Sequence, residues 1–196
     1  AVAPVKLTLH LTLASLFLAS VVAMATHLSL RRAGNAVAGA RRLRGAAILL
    51  LVLVFVQIAF GGLVAGSKAG LAYNTWPLMD GSFIPPASTL FAATPWIENF
   101  AANVALVQFN HRMMAYLLLG FTFWHCFHAR AIGGSPAKRS TVILGLMLAQ
   151  AVLGIITLLL AVPLWAGLAH QALAMIVLSM AVVHVVRLRG LSSPCT

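Results

Sequence analysis

Long apolar stretches, separated by short basic segments or by segments rich in proline and glycine, dominate this sequence. Five of the stretches are long enough to cross a bilayer, which takes about 20 residues. They cover roughly residues 5–28, 46–66, 101–128, 141–162 and 164–186. The pattern predicts an all-α polytopic transmembrane bundle of about five helices.

Composition supports this interpretation. The chain is 62% hydrophobic and 8% charged, and a soluble domain needs far more charged surface, so the apolar excess must face lipid. The net charge of +11 could indicate nucleic-acid binding, but the position of the charges excludes it. The basic residues cluster between or after apolar stretches, as in the cytoplasmic loops of membrane proteins. They are Arg31, Arg32, Arg41, Arg42 and Arg44; Arg130, Lys138 and Arg139; and Arg187 and Arg189.

These clusters predict a topology. The Arg-rich loop 31–45, the loop 129–139 and the tail 191–196 are expected on the cytoplasmic side of a bacterial cytoplasmic membrane. The segment 67–100 is then external, and a tight external turn around residues 162–164 joins the last two helices.

The external segment 67–100 contains NTWPLMDGSFIPP and the aromatic residues Tyr73, Trp76 and Trp96. Aromatic residues with proline and glycine at an interface indicate an ordered cap on the membrane surface. A passive connector with interfacial anchors is the alternative, and composition does not separate the two.

A faint internal repeat is present. LTLHLTLA around His10 resembles GLAHQALA around His170, and QIAFGG from Gln57 resembles QAVLGI from Gln150. Such repeats imply duplicated halves with equivalent sites at the same depth, so the first helix matches the fifth and the second matches the fourth. A protein of four plus four helices would explain this. Gln57 and Gln150 are interpreted as interhelical hydrogen-bonding residues.

His111 and His170 are the strongest pair of candidate ligands. Both are expected about 10–15 Å below the outer surface, and two neutral imidazoles facing each other at matched depth are the usual axial ligands of a low-spin heme. The small residues Ala115, Ala174 and Gly167 lie one turn away and would leave room for a porphyrin. The alternative is that each histidine hydrogen-bonds to a neighbouring helix as a packing residue.

Arg112 directly follows His111 and cannot remain without a partner inside a span. A heme propionate is the natural counter-ion, held by a charge-assisted hydrogen bond. Snorkelling toward the outer surface and pairing with Glu98 are the alternatives.

His10 shares the features of the other two histidines, including an alanine one turn on, but has no evident partner. The repeat therefore assigns it to a second, equivalent heme site. His125 and His184 each lie about 21 Å further along the helices of His111 and His170, a spacing that also fits a second, stacked heme. Against this, both lie near inner-face arginines, where a histidine costs little. His27 and His128 are interpreted as inner-interface residues.

Several motifs together resemble the heme A synthase family. They are GGLVAGSKAGLAYNTWPLMDGSFIPP (61–86), VQFNHRMMAY (107–116), VLGIITLL (152–159) and LAHQALA (168–174), and the resemblance covers essentially the whole chain. It implies eight transmembrane helices in two four-helix halves, and oxidation of a methyl group of heme O to the formyl group of heme A. The reaction it implies proceeds through an alcohol and a hydrated aldehyde.

The resemblance also implies roles for the histidines. His111 and His170 match the two ligands of a heme b cofactor in the C-terminal half, and His10 matches one of two ligands of the substrate heme. Residues 1–30 are then the last helix of the substrate half, and residues 46–190 are the four-helix heme b domain. The family's first three helices, with the other substrate-site histidine and a glutamate important for catalysis, have no counterpart here.

The expected partners are heme O, the lipid bilayer, a heme O synthase, an electron acceptor or donor, and a second copy of the chain. A b-type cytochrome that carries electrons through one or two hemes without modifying them is the alternative function. A transporter or assembly subunit whose histidines are structural is a further one.

Overall fold

The computed structural model describes residues 3–30 and 40–190, and the regular structure within those ranges is helical. The helices are α1 (Pro4–Leu30), α2 (Ala40–Ser67), the short α3 (Ala87–Leu90), α4 (Val104–Ile132), α5 (Gly134–Leu159) and α6 (Leu164–Gly190). Short 3-10 helices cover Ala69–Leu71 and Trp96–Phe100. The prediction of an all-α bundle built on five long helices is confirmed.

The long helices identify an integral membrane protein. By length and composition α1, α2, α5 and α6 can each cross a bilayer. Helix α4 has 29 residues, which also suffices to cross, and it carries most of the polar side chains discussed below.

Four of the long helices form a closed ring. Helices α2, α4, α5 and α6 each pack against two neighbours in that order, and α1 lies outside the ring against α2 and α6. Apolar side chains from all four helices meet at the centre, among them Leu50, Leu118, Ile143 and Leu178. Because lipid tails are as apolar as leucine, this core is stabilised by close van der Waals packing and not by removal from water.

Helix α1 docks on two glycines of α2 that are one turn apart, Gly62 and Gly66. A Cβ at Gly62 would lie 3.0 Å from Cα of Thr8, and a Cβ at Gly66 would lie 2.7 Å from Cα of Pro4. The missing side chains therefore let the two backbones approach closely, as in other small-xxx-small contacts of membrane helices.

The loop predicted at 129–139 is wrong. Helix α4 continues to Ile132 and α5 begins at Gly134, so a single residue, Gly133 with φ of 78°, reverses the chain. Arginine and lysine are good helix formers whose charges reach the interface from inside a helix, so a basic cluster does not by itself end one. A glycine in the left-handed region does end it.

Most basic residues of the described ranges nevertheless lie at one end of the bundle, whereas Lys6, Lys68 and Arg112 lie toward the other. Helices α2 and α5 begin there, while α4 and α6 end there, which gathers Arg44, Arg130, Lys138 and Arg187. Helix α2 begins at Ala40, within the predicted 31–45 loop. Residues 31–39 and the tail 191–196 lie outside the described residues.

The opposite end is closed by a folded cap. Asn74 Nδ2 donates to the carbonyl of Gly70 at 2.7 Å and to that of Leu158 at 2.8 Å, which ties the segment after α2 to the end of α5. The predicted tight turn between the last two helices is confirmed, since α5 ends at Leu159 and α6 begins at Leu164. A Cβ at Gly70 would lie 2.9 Å from Cγ2 of Val162, so this turn packs directly on the cap.

Candidate functional site

His111 and His170 lie at the capped end of the ring, each about two turns from the end of its helix. Both side chains are half-buried. The two histidines therefore lie at similar distances from the capped end, and their role as ligands stays a prediction.

A glutamine of the neighbouring helix contacts each of the two histidines. Gln57 Nε2 lies 3.1 Å from His111 Nδ1 and donates to the His111 carbonyl at 3.2 Å. Gln150 Nε2 lies 3.3 Å from His170 Nε2 and donates to the His170 carbonyl at 3.0 Å. The two glutamines are interhelical hydrogen-bonding residues, as the sequence predicted, and their partners are the candidate ligands themselves, which the sequence did not predict. The signal was present in the repeated QIAFGG and QAVLGI segments.

A glycine lies beneath each ring. A Cβ at Gly61 would lie 3.4 Å from His111 Cε1, and a Cβ at Gly154 would lie 2.8 Å from His170 Cε1. Each imidazole therefore rests on the bare backbone of the adjacent helix. Gly167, which the sequence analysis assigned to porphyrin space, instead packs toward the α5–α6 turn, where its Cβ would lie 4.0 Å from Val162 Cγ1.

Arg112 holds the cap. It is 8% exposed and donates from Nη2 to the carbonyls of Tyr73 and Thr75, both at 2.9 Å, and from Nη1 to that of Leu78 at 3.4 Å. From the sequence, a heme propionate, Glu98 or the outer surface was expected to accommodate Arg112, and these loop carbonyls were not predicted. Five fixed N–H donors suit an irregular loop whose carbonyls have no helical partner.

Two further residues of α4 support the same loop. Gln108 Nε2 donates to the carbonyls of Ala69 and Tyr73 at 3.1 and 3.2 Å, and Trp76 Nε1 donates to the Tyr116 hydroxyl at 3.1 Å. Because Gln108, Arg112 and Tyr116 are spaced four residues apart, they share one face of the helix. The cap is thus fixed to the turns of α4 that carry His111.

The structure does not bring His10 together with the other candidates. Helix α1 packs through the face that includes Thr8, Leu11 and Ser15, while His10 is exposed. The imidazole of His10 therefore points away from the bundle of α2, α4, α5 and α6.

His125 and His184 were expected near the membrane interface, where a histidine costs little, but both are buried within the bundle. His125 and His184 are each 1% exposed, and their Nε2 atoms lie 2.9 Å apart. Arg139 Nε donates to His184 Nδ1 at 3.4 Å, so His184 carries its proton on Nε2, where His125 Nε2 and, at 3.4 Å, Ser140 Oγ are the neighbouring polar atoms. A metal ion between two ring nitrogens needs them to be about 4 Å apart. At the observed Nε2–Nε2 distance the two rings are hydrogen-bonded to each other. His27 and His128 are exposed.

The chemistry of the site at the capped end suits a heme. Among the described residues no group of three or more His, Cys, Asp or Glu side chains can hold a bare metal ion, which usually takes about four protein ligands. Two imidazoles suit an iron that brings four ligands of its own. Buried polar atoms without a hydrogen-bond partner among the described residues also cluster here: Gln57 Oε1, Gln150 Oε1, His170 Nδ1 and Arg112 Nε.

Comparison with known sequences identifies the family of the chain. The sequence profile COX15-CtaA, described as cytochrome oxidase assembly protein, matches residues 1–182. Heme A synthase of Methylobacterium sp. (strain 4-46) is 62% identical over 94% of this chain and 51% of its own length. Heme A synthase of Methylobacterium nodulans is 63% identical over 94% and 51%. That of Rhodopseudomonas palustris (strain BisB5) is 46% identical over 98% and 52%. The chain thus spans about half the length of the curated relatives that it matches.

Proposed function

The chain belongs to the COX15-CtaA family of cytochrome oxidase assembly proteins, and from this premise we propose that it forms the heme b-binding half of a heme A synthase. Such an enzyme is a membrane oxidoreductase that oxidises a methyl group of heme O to the formyl group of heme A. The observation that carries the proposal is the pair His111 and His170, set at matched depth, half-buried and each held by a glutamine.

In this proposal His111 and His170 are the residues that would hold the iron of heme b. Bound heme b would supply one-electron transfer to or from the substrate site. The residues of the chain orient the rings, exclude lipid and close the outer end of the site through the cap held by Arg112. The Nε of Arg112, which lacks a partner among the described residues, is the donor left for a heme propionate.

We further propose that His10 belongs to the substrate heme O. Its exposure on α1 supports this, because a ligand of a second site must face away from the first. In this proposal the complete protein supplies the second ligand of the substrate heme. Its partners are a heme O synthase that delivers the substrate, an electron acceptor or donor, and a second copy of the chain. The basic end of the bundle supports a bacterial inner-membrane location with the C-terminus in the cytoplasm.

The proposal is tested by a pyridine hemochrome spectrum of the purified chain, of His111→Ala and of His170→Ala. About one heme b per chain is expected for the wild type, with loss in either variant, since one imidazole holds heme iron far less tightly than two. His128→Ala is the matched control, because His128 is exposed on α4. Absence of heme from the wild type, or retention in both variants, contradicts the assignment.

Heme A formation separates this function from a b-type electron carrier. A full-length protein containing this chain, expressed with a heme O supply, is expected to accumulate heme A detectable by chromatography of extracted hemes. A protein that binds heme b but leaves heme O unchanged would support the electron carrier.

A further inference from the structure

We propose that Gln57 and Gln150 are positioning residues, which set the orientation of the His111 and His170 rings toward a bound heme iron. The inference rests on the proposed heme site, because it assigns the residues that hold the ligands of that site. It is independent of how the substrate is oxidised.

The two helices that carry these glutamines present the same short pattern. Each has a glutamine followed one turn later by a glycine, Gln57 with Gly61 on α2 and Gln150 with Gly154 on α5. Residues four apart share a helix face, so amide and glycine form one shallow recess. The imidazole of the neighbouring helix enters that recess in both cases.

The contacts constrain the ring and not only the packing of the helices. In each pair the amide Nε2 donates to the backbone carbonyl of the histidine, which fixes the glutamine relative to that helix. The same Nε2 also contacts a ring nitrogen, so the ring is held relative to its own backbone. The glycine removes the Cβ that would push the ring out, most strictly at Gly154, where it would lie 2.8 Å from His170 Cε1.

A purely structural role does not account for the amides. A carboxamide inside a membrane span is costly unless its polar atoms are bonded, and an apolar side chain would pack the helices equally well. The Oε1 atoms of both glutamines are buried and lack a hydrogen-bond partner among the described residues. An axial histidine that gives Nε2 to iron carries its proton on Nδ1 and needs an acceptor for it. Beside His170 the structure leaves both atoms of such a bond without a partner among the described residues, Gln150 Oε1 and His170 Nδ1.

The first test uses the heme-loaded protein and the variants Gln57→Met and Gln150→Met, which keep side-chain length and remove the hydrogen bonds. Heme binding is expected to weaken about 10–100-fold, as for other partners of metal-bound histidines. The reduction potential is expected to rise and the low-spin ferric resonance to shift, because the ligand becomes less basic and its ring plane is freed. Gln171→Met is the matched control, next to His170 but on the helix of the ligand itself. Unchanged heme affinity, potential and spectrum in both variants would overturn the proposal.

The second test needs no heme. In protein labelled with 15N-histidine, Gln57→Met is expected to shift the ring nitrogens of His111 and leave those of His170 in place, and Gln150→Met to do the reverse. Unchanged ring signals in both variants would overturn the positioning role. A wild type that binds no heme but shows these selective shifts would refute the proposed heme site and support the positioning of the rings.

Discussion

The substitution Gly66→Ala tests the contact by which α1 joins the ring. A Cβ at this position would lie 2.7 Å from Cα of Pro4, 3.1 Å from its Cβ and 3.2 Å from its carbonyl oxygen. Non-bonded carbons pack at about 3.5–4.0 Å, so α1 must retreat by about 1 Å. These contacts involve backbone that cannot rotate away, and overpacking of this kind costs about 1–3 kcal/mol.

Alanine also favours a helix over glycine, by about 1 kcal/mol, so a control is required. Gly120→Ala on α4 provides it, because no atom lies within 4 Å of the added Cβ. Equilibrium unfolding in mixed micelles of a mild detergent and dodecyl sulfate, followed by circular dichroism, is expected to show Gly66→Ala less stable than Gly120→Ala by about 1–3 kcal/mol. Equal stability of the two variants would refute the close helix contact.

Three further predictions concern the polar residues of the bundle. Arg112→Lys is expected to raise proteolysis of the cap several-fold, since the compact ammonium of lysine lacks the separate nitrogens with which the guanidinium reaches carbonyls of three different residues. An unchanged cleavage rate would count against this anchor. Gly154→Ala is expected to lower the amount of bound heme in a hemochrome assay. Gly145→Ala on the same helix is the control, because no atom lies within 4 Å of its added Cβ. An equal loss of heme in both variants would contradict the role of the recess. His184→Leu leaves the buried His125 without its hydrogen-bond partner and is expected to lower the free energy of unfolding by about 1–3 kcal/mol in the same assay. The exposed His128→Leu is expected to show no comparable loss.

Much of the candidate site could be predicted from particular residues. His111 and His170 stand out because an ionisable side chain inside an apolar stretch is costly and therefore conspicuous. The QIAFGG and QAVLGI segments indicated a duplicated element, although the sequence did not show which residues their glutamines contact. Arg112 was recognised as needing a partner, but the loop carbonyls that meet it come from residues more than thirty positions earlier. No local pattern specifies which carbonyls a loop will present after it folds.

The sequence by itself determined the all-α class, the long membrane helices and the clustering of basic residues at one end. Those properties follow from the length of apolar stretches and from the cost of charge in lipid, which act locally along the chain. Only the tertiary structure decided the order of helices around the ring, the docking of α1 on Gly62 and Gly66, and the pairing of each histidine with a glutamine. It also showed that His125 and His184 bind each other deep in the bundle. Such contacts depend on which helix faces meet, and because lipid gives little hydrophobic preference for one face over another, close packing and hydrogen bonds between distant residues make that choice.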